Sequence, residues 1–240
     1  MIITLTLLTR YGRDILHDQE RILVLMNECT CCAGMIRTQS GPGESDRPAS
    51  RPERHASSAS LADADENRCK VLTVGHSTRS IDTFTELLRS HCVTQLIDVR
   101  TVPRSRHNPQ FNQDTLPASL AAAGIDYAHA PGLGGFRPTT TDSLNSGWRN
   151  LSFRGYADYM QTPEFAENLR SVIELSLTDR VALMCAEAVP WRCHRSLIAD
   201  ALVVNGIMTC EIVGPKRLQP HKLTSFARVE GREITYPKEP

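Results

Sequence analysis

The chain has 240 residues, room for one generous domain or two small ones. Its 27 basic and 27 acidic side chains cancel, which argues against a global field steering it to nucleic acid or to a membrane. Hydrophobic residues make up 40%, enough for a packed core, and no apolar run approaches the ~18 residues of a membrane span.

These totals hide an asymmetry. Residues 1–69 hold one aromatic, Tyr11, whereas residues 70–240 hold the other 12. Residues 33–67 carry only Met35, Ile36 and Leu61 as large apolar residues, too few to offset chain entropy. The expectation is a disordered N-terminal tail over residues 1–69, with a short helix near residues 14–26. A miscalled start codon would also account for such a tail. A single α/β domain is expected over residues 70–240. Eight cysteines are too sparse for a disulfide scaffold, and no basic segment precedes the apolar start MIITLTLL. A reducing cytoplasm with free thiols is expected.

From residue 70 the pattern sharpens. Residues 70–74 read as a buried strand ending in Gly75-His76-Ser77. Ser80 caps a helix to about His91, with Ile81, Phe84, Leu87 and Leu88 on one face. Residues 95–99 are a second strand, 116–123 a helix stopped by Gly124, and 125–130 a third strand. Residues 131–155 read as a long loop rich in Gly, Ser and Thr, of a length that tends to be functional. Thr162-Pro163-Glu164 starts a helix to about Leu177. Then come a strand over 180–185, a helix over 190–204 ended by Gly206, a fifth strand over 209–213 and a terminal hairpin around Glu230-Gly231. The alternation predicts a mostly parallel five-stranded sheet with helices on both faces. Ligands of such sheets sit outside the carboxyl ends of the strands. That edge collects His76, Arg100 and Cys185.

Three stretches carry candidate chemistry. The first is MCAEAVPWRCHRSLIAD, residues 184–200. Helical spacing from Leu197 and Ile198 places Cys193 and His194 toward the sheet, with Arg192 and Arg195 on the flank. A thiol at a helix N-terminus beside guanidinium groups favours thiolate. Cys185 or Cys193 is then a nucleophile, with His194, Glu187 and His76 for proton transfer. The competing reading is two buried cysteines acting as small hydrophobes and a structural histidine. The spacing from Cys185 to Arg192 is not that of a Cys-x5-Arg phosphatase loop. Zinc would recruit Cys185, Cys193 and His194 with His76, but the folded part lacks a Cys-x2-Cys pair, so no metal or other cofactor is expected.

The second stretch is VPRSRHNPQFNQ, residues 102–113. It follows Arg100 and gathers Arg104, Arg106, His107 and Asn108, a set suited to phosphate or carboxylate. The third, residues 132–159, interleaves aromatics with arginines. Phe153, Tyr156 and Tyr159 are expected to pin the loop to the body. Trp148 and Arg149 remain open as ligand contacts, together with Arg195.

The motifs TVGHST (73–78), LIDVRTVPRSRHNPQFN (96–112), GLGGFR (132–137), SFRGYADYM (152–160) and MCAEAVPWRCHRSLIADAL (184–202) resemble the family called domain of unknown function 488. HKLTSFARV (221–229) and ITYP (234–237) extend the likeness, which covers about residues 70–237. The resemblance implies an α/β domain with a site at Cys185, Glu187, Cys193, His194 and Arg195. It implies no activity. The leading expectation is an enzyme-like domain acting on a small anionic substrate. The alternatives are a nucleic-acid-binding or DNA-repair-associated module and a thiol redox sensor.

Overall fold

The computed structural model describes residues 69–238. The tail and short helix expected within residues 1–68 lie outside the described residues. Eight strands appear: β1 (Val71–Gly75), β2 (Gln95–Asp98), β3 (Asp126–His129), β4 (Val181–Cys185), β5 (Thr209–Gly214), β6 (Arg217–Pro220), β7 (Arg228–Glu230) and β8 (Glu233–Thr235). Five helices accompany them: α1 (Ile81–Ser90), α2 (Leu116–Ala122), α3 (Leu151–Tyr159), α4 (Pro163–Leu175) and α5 (Arg195–Val204).

The main sheet runs β3-β2-β4-β1-β5-β6. Its first five strands are mutually parallel, and β6 is antiparallel to β5. The expected α/β class therefore holds with six strands instead of five. The sixth escaped the sequence because Arg217-Leu218-Gln219-Pro220 buries only Leu218 and shows no β-branched run. The terminal hairpin is β7 with β8.

Side chains of the strands alternate between two cores. Val71, Ile97, Val99, Val181 and Leu183 face α3, α4 and α5 through Tyr156, Phe165, Leu169, Leu197 and Leu202. Leu72, Val74, Leu96, Ala182 and Met184 face α1 and α2 through Phe84, Leu88, Leu116 and Leu120. Helices cover both faces. Among the described residues no helix is long and apolar enough to cross a membrane.

Three local expectations need correction. The end of the stretch read as loop, residues 151–155, belongs to α3: Asn150 caps that helix by accepting from the Ser152 amide at 2.9 Å. Gly155 hid that helix, since glycine is a poor helix former. It is required there because a side chain would run into the Arg137 carbonyl. The helix expected over 190–204 is broken: Pro190–Arg192 is a 3-10 turn, Cys193 is extended (φ −131, ψ 142), and α5 begins at Arg195. Finally, Cys69 and Cys210 are joined by a disulfide, not free: Cys69 lies just before β1, whose parallel neighbour β5 carries Cys210. Cys185 and Cys193 are the free thiols among the described cysteines.

Candidate functional site

Strands β2, β4 and β1 are neighbours, and their carboxyl ends open into a cleft of about 730 Å³. The alternation of the strands decides what enters it. Gly75 and Cys185 are register partners, and Cys185 continues the parity of Val181 and Leu183, on the α3–α5 side. His76 and Arg100 follow the opposite parity, on the α1–α2 side. The cleft is where the two faces meet over the sheet's edge.

On the α1–α2 side, Arg100 is buried and its side chain makes four contacts to three residues. Its Nε donates to Asp98 Oδ1 at 2.8 Å and its Nη2 to Asp98 Oδ2 and the Phe111 carbonyl. Nη1 lies 3.3 Å from His76 Nε2. Asp98 is itself wholly buried and also accepts from Tyr127 Oη at 3.0 Å. A guanidinium carries five N–H donors. Four are directed within the protein, and the fifth, on Nη1, belongs to a side chain that lines the cleft.

His76 is stacked on Phe111 with ring centroids 4.2 Å apart. Its Nδ1 lies 2.8 Å from the Ser77 carbonyl, so Nδ1 carries the hydrogen and Nε2 accepts from Arg100. Burial lowers its pKa from the ordinary histidine value. Both ring nitrogens are engaged, which suits His76 to orienting Arg100 rather than to taking a proton from a substrate.

The α3–α5 side supplies sulfur. The Sγ atoms of Cys185 and Cys193 and a ring nitrogen of His194 all lie within 4.8 Å of one another. Cys193 Sγ is 3.7 Å from His194 Nδ1. His194 Nε2 lies 3.0 Å from the Val99 carbonyl, so Nε2 donates there and Nδ1 faces the thiols. The extended backbone at Cys193 produces this convergence, since it turns the thiol out of the helical path. The Cys193 thiol donates to Cys185 and, with His194 and the Glu187 amide, holds the Cys185 thiol far below its ordinary pKa against the effect of burial. The same hydrogen bond to Cys185, then burial, pushes Cys193 up. These opposite shifts favour the thiolate at Cys185, with Cys193 as the donor.

Close backbone approach fixes this arrangement. A side chain at Gly75 would overlap the Glu187 carbonyl, and a Cβ at Gly135 would lie 2.7 Å from His194 Nδ1. Arg195 is fully buried beneath the loop and not on the flank. Its Nη1 donates to the Glu187 carbonyl at 2.8 Å, while Nη2 reaches Glu211 Oε1 at 3.3 Å. It positions the loop and does not line the cleft. Glu187 does line it, and its Oε1 also accepts from the Val189 amide at 3.2 Å.

Of the residues singled out by sequence, the cleft gathers His76, Arg100, Arg104, Asn108, Cys185, Glu187, Cys193 and His194. Arg106, Trp148 and Arg149 are not among its lining residues. Trp148 packs against Phe153, Phe226 and Tyr236, so it closes the core instead of meeting a ligand. Tyr156 and Tyr159 pin the glycine loop by donating to the Leu133 and Gly132 carbonyls at 2.9 and 2.6 Å. Arg192, read on the flank of the thiol helix, lines the cleft; sequence reasoning passed over the exposed Phe136, also at the cleft, and the supporting role of Asp98. The Asp98-x-Arg100 spacing was the available signal, because alternate strand residues share a face.

The family described as Domain of unknown function DUF488 matches residues 80–202, half of the chain. The chain belongs to the DUF488 family. The matched segment runs from the cap of α1 to the body of α5 and contains Arg100, Cys185, Glu187, Cys193 and His194; His76 lies before it. No curated protein and no solved structure matches this DUF488 chain.

Proposed function

We propose that the domain is a thiol enzyme that acts on a small substrate bearing a phosphate or carboxylate. The observation that carries this reading is the meeting, at one cleft, of the Cys185–Cys193–His194 cluster with the buried guanidinium of Arg100. A thiolate is the reactive form of cysteine, and it is formed here by a donor thiol and an imidazole rather than by a helix N-terminus. In the reaction, Cys185 Sγ bonds to the substrate's electrophilic atom. As the thiolate forms, the Cys185 proton passes to His194 Nδ1; the bond to the leaving group then breaks with its electron pair, and the leaving group takes that proton from His194 Nδ1. Arg100 and Arg104 hold the anionic end, and Asn108 adds a neutral donor beside them.

The alternative of a nucleic-acid module draws less support. It leaned on the arginine-aromatic loop, and Trp148, Tyr156 and Tyr159 are occupied in holding that loop to the body.

Iodoacetamide labelling with peptide mapping tests the proposal. Cys185 should label at a rate that stays high well below the ordinary thiol pKa of about 8.5, and Cys193 should lag. An ordinary pH–rate curve for Cys185 would end the proposal. Inorganic phosphate or a small carboxylate should slow the labelling in wild type but not in Arg104→Met.

A further inference from the structure

We propose that Cys185, Cys193 and His194 form a three-donor site for zinc whose fourth position opens into the cleft. This does not rest on the enzymatic reading, since it concerns only what the three donor atoms can hold.

Two sulfurs and an imidazole nitrogen are donors that zinc prefers. With zinc–sulfur and zinc–nitrogen bonds of about 2.3 and 2.0 Å, a tetrahedron needs sulfur–sulfur and sulfur–nitrogen edges of about 3.8 and 3.5 Å. The Cys193 Sγ to His194 Nδ1 distance is 3.7 Å, and no pair of the three donor atoms exceeds 4.8 Å. The triangle closes on a metal with a change of at most about 1.3 Å along any one edge.

The orientation of His194 is a second and independent observation. A ligating histidine almost always directs its other ring N–H to a carbonyl or carboxylate. His194 Nε2 does so to the Val99 carbonyl at 3.0 Å, which leaves Nδ1 as the donor atom. The glycine at 135 leaves room beside that atom. The donors also come from separate places: the end of β4, the extended residue before α5, and the cap position of α5. This explains why no short Cys-x2-Cys spacing announces the site. All three residues line the cleft, so a fourth ligand, water or a substrate oxygen, can reach the metal.

Both sulfurs bind as thiolates, and any thiol proton still present leaves to solvent. Zinc binding and nucleophilic attack by Cys185 are therefore exclusive uses of the same atoms, and zinc should protect Cys185 from alkylation.

The experiment uses the full chain, freed of metal and titrated with zinc against a chromophoric chelator. Expected is one equivalent bound through residues 69–238, with affinity lowered on the order of 100-fold in Cys193→Ser and in His194→Gln. Gly135→Ala, whose methyl would press on Nδ1, should lower it about 10-fold or more. X-ray absorption on the zinc-loaded wild type needs no variant and should show two sulfurs at about 2.3 Å with nitrogen and oxygen completing the shell. The proposal is overturned if zinc fails to compete with the chelator, if its first shell lacks two sulfurs, or if Cys193→Ser binds as tightly as wild type. Alkylation of the metal-free protein reports on the nucleophile separately, so either idea can fail without the other.

Discussion

Arg100 Nη1 and His76 Nε2 meet at 3.3 Å, with the histidine as acceptor. This contact ties the end of β1 to the segment after β2, and it requires His76 to be neutral. Protonation would set two cations face to face in a buried place. The unfolded chain has no such restriction and binds the proton near the ordinary pKa of about 6.5. Because burial lowers the folded value, stability is lost as the pH falls from about 6.5 toward that lower value. Urea denaturation at about pH 7 and about pH 5 should show this loss in wild type and a smaller one in His76→Gln. Equal losses in both would remove the contact from the account.

The two cleft arginines should separate under mutation. Arg100 is the partner of a wholly buried carboxylate, so Arg100→Met leaves Asp98 charged and unpaired. A loss of about 3–5 kcal/mol is expected by denaturant titration. Arg104 is exposed, and Arg104→Met should change stability by no more than about 0.5 kcal/mol. It should nonetheless abolish anion protection of Cys185. A stability loss in Arg104→Met comparable to that in Arg100→Met would contradict this division.

The same division shows what the sequence could convey. The rule of carboxyl ends was enough to bring His76, Arg100 and Cys185 to one edge. Arg195 was misjudged because its burial is not a local property. Helical spacing alone put it on a flank, but its depth depends on Glu211, a residue of β5 that faces the same interior and also accepts from Thr73. Such a pairing is formed by tertiary packing, between residues sixteen positions apart. The break at Cys193 was equally hidden. Pro190 is a good first helical residue, and nothing local shows that the chain turns extended before α5 starts. That break sets the thiol geometry, so the critical feature of the site was the least legible.

Gly75 offers a test of the loop that carries Cys185. A methyl there would overlap the Glu187 carbonyl and approach the Ala188 backbone, neither of which can rotate away. Gly75→Ala should cost about 1–3 kcal/mol, the usual range for overpacking. It should also displace the loop whose Glu187 amide supports the Cys185 thiolate, so the labelling rate at low pH should fall. Gly214→Ala is the control, because no atom lies within 4 Å of a Cβ at that position. Unchanged labelling in Gly75→Ala would mean that the loop contributes nothing to the thiolate.

The two thiols should also report their closeness by oxidation. With hydrogen peroxide, Cys185 Sγ attacks one oxygen, the O–O bond breaks, and the departing hydroxide takes a proton to become water. The resulting sulfenic acid is then attacked by the Cys193 thiol, which expels a second water and leaves a disulfide with two hydrogens lost overall. Trypsin cuts between Arg192 and Cys193, so the bridge would join peptide 181–192 to peptide 193–195 in a mass spectrum. A thiol reductant should release them. In Cys193→Ser the reaction should stop at a sulfenic acid trapped by dimedone, because the hydroxyl cannot complete the bridge. Oxidation of wild-type Cys185 past the sulfenic stage, with no bridged peptide, would show that the two sulfurs do not meet in solution.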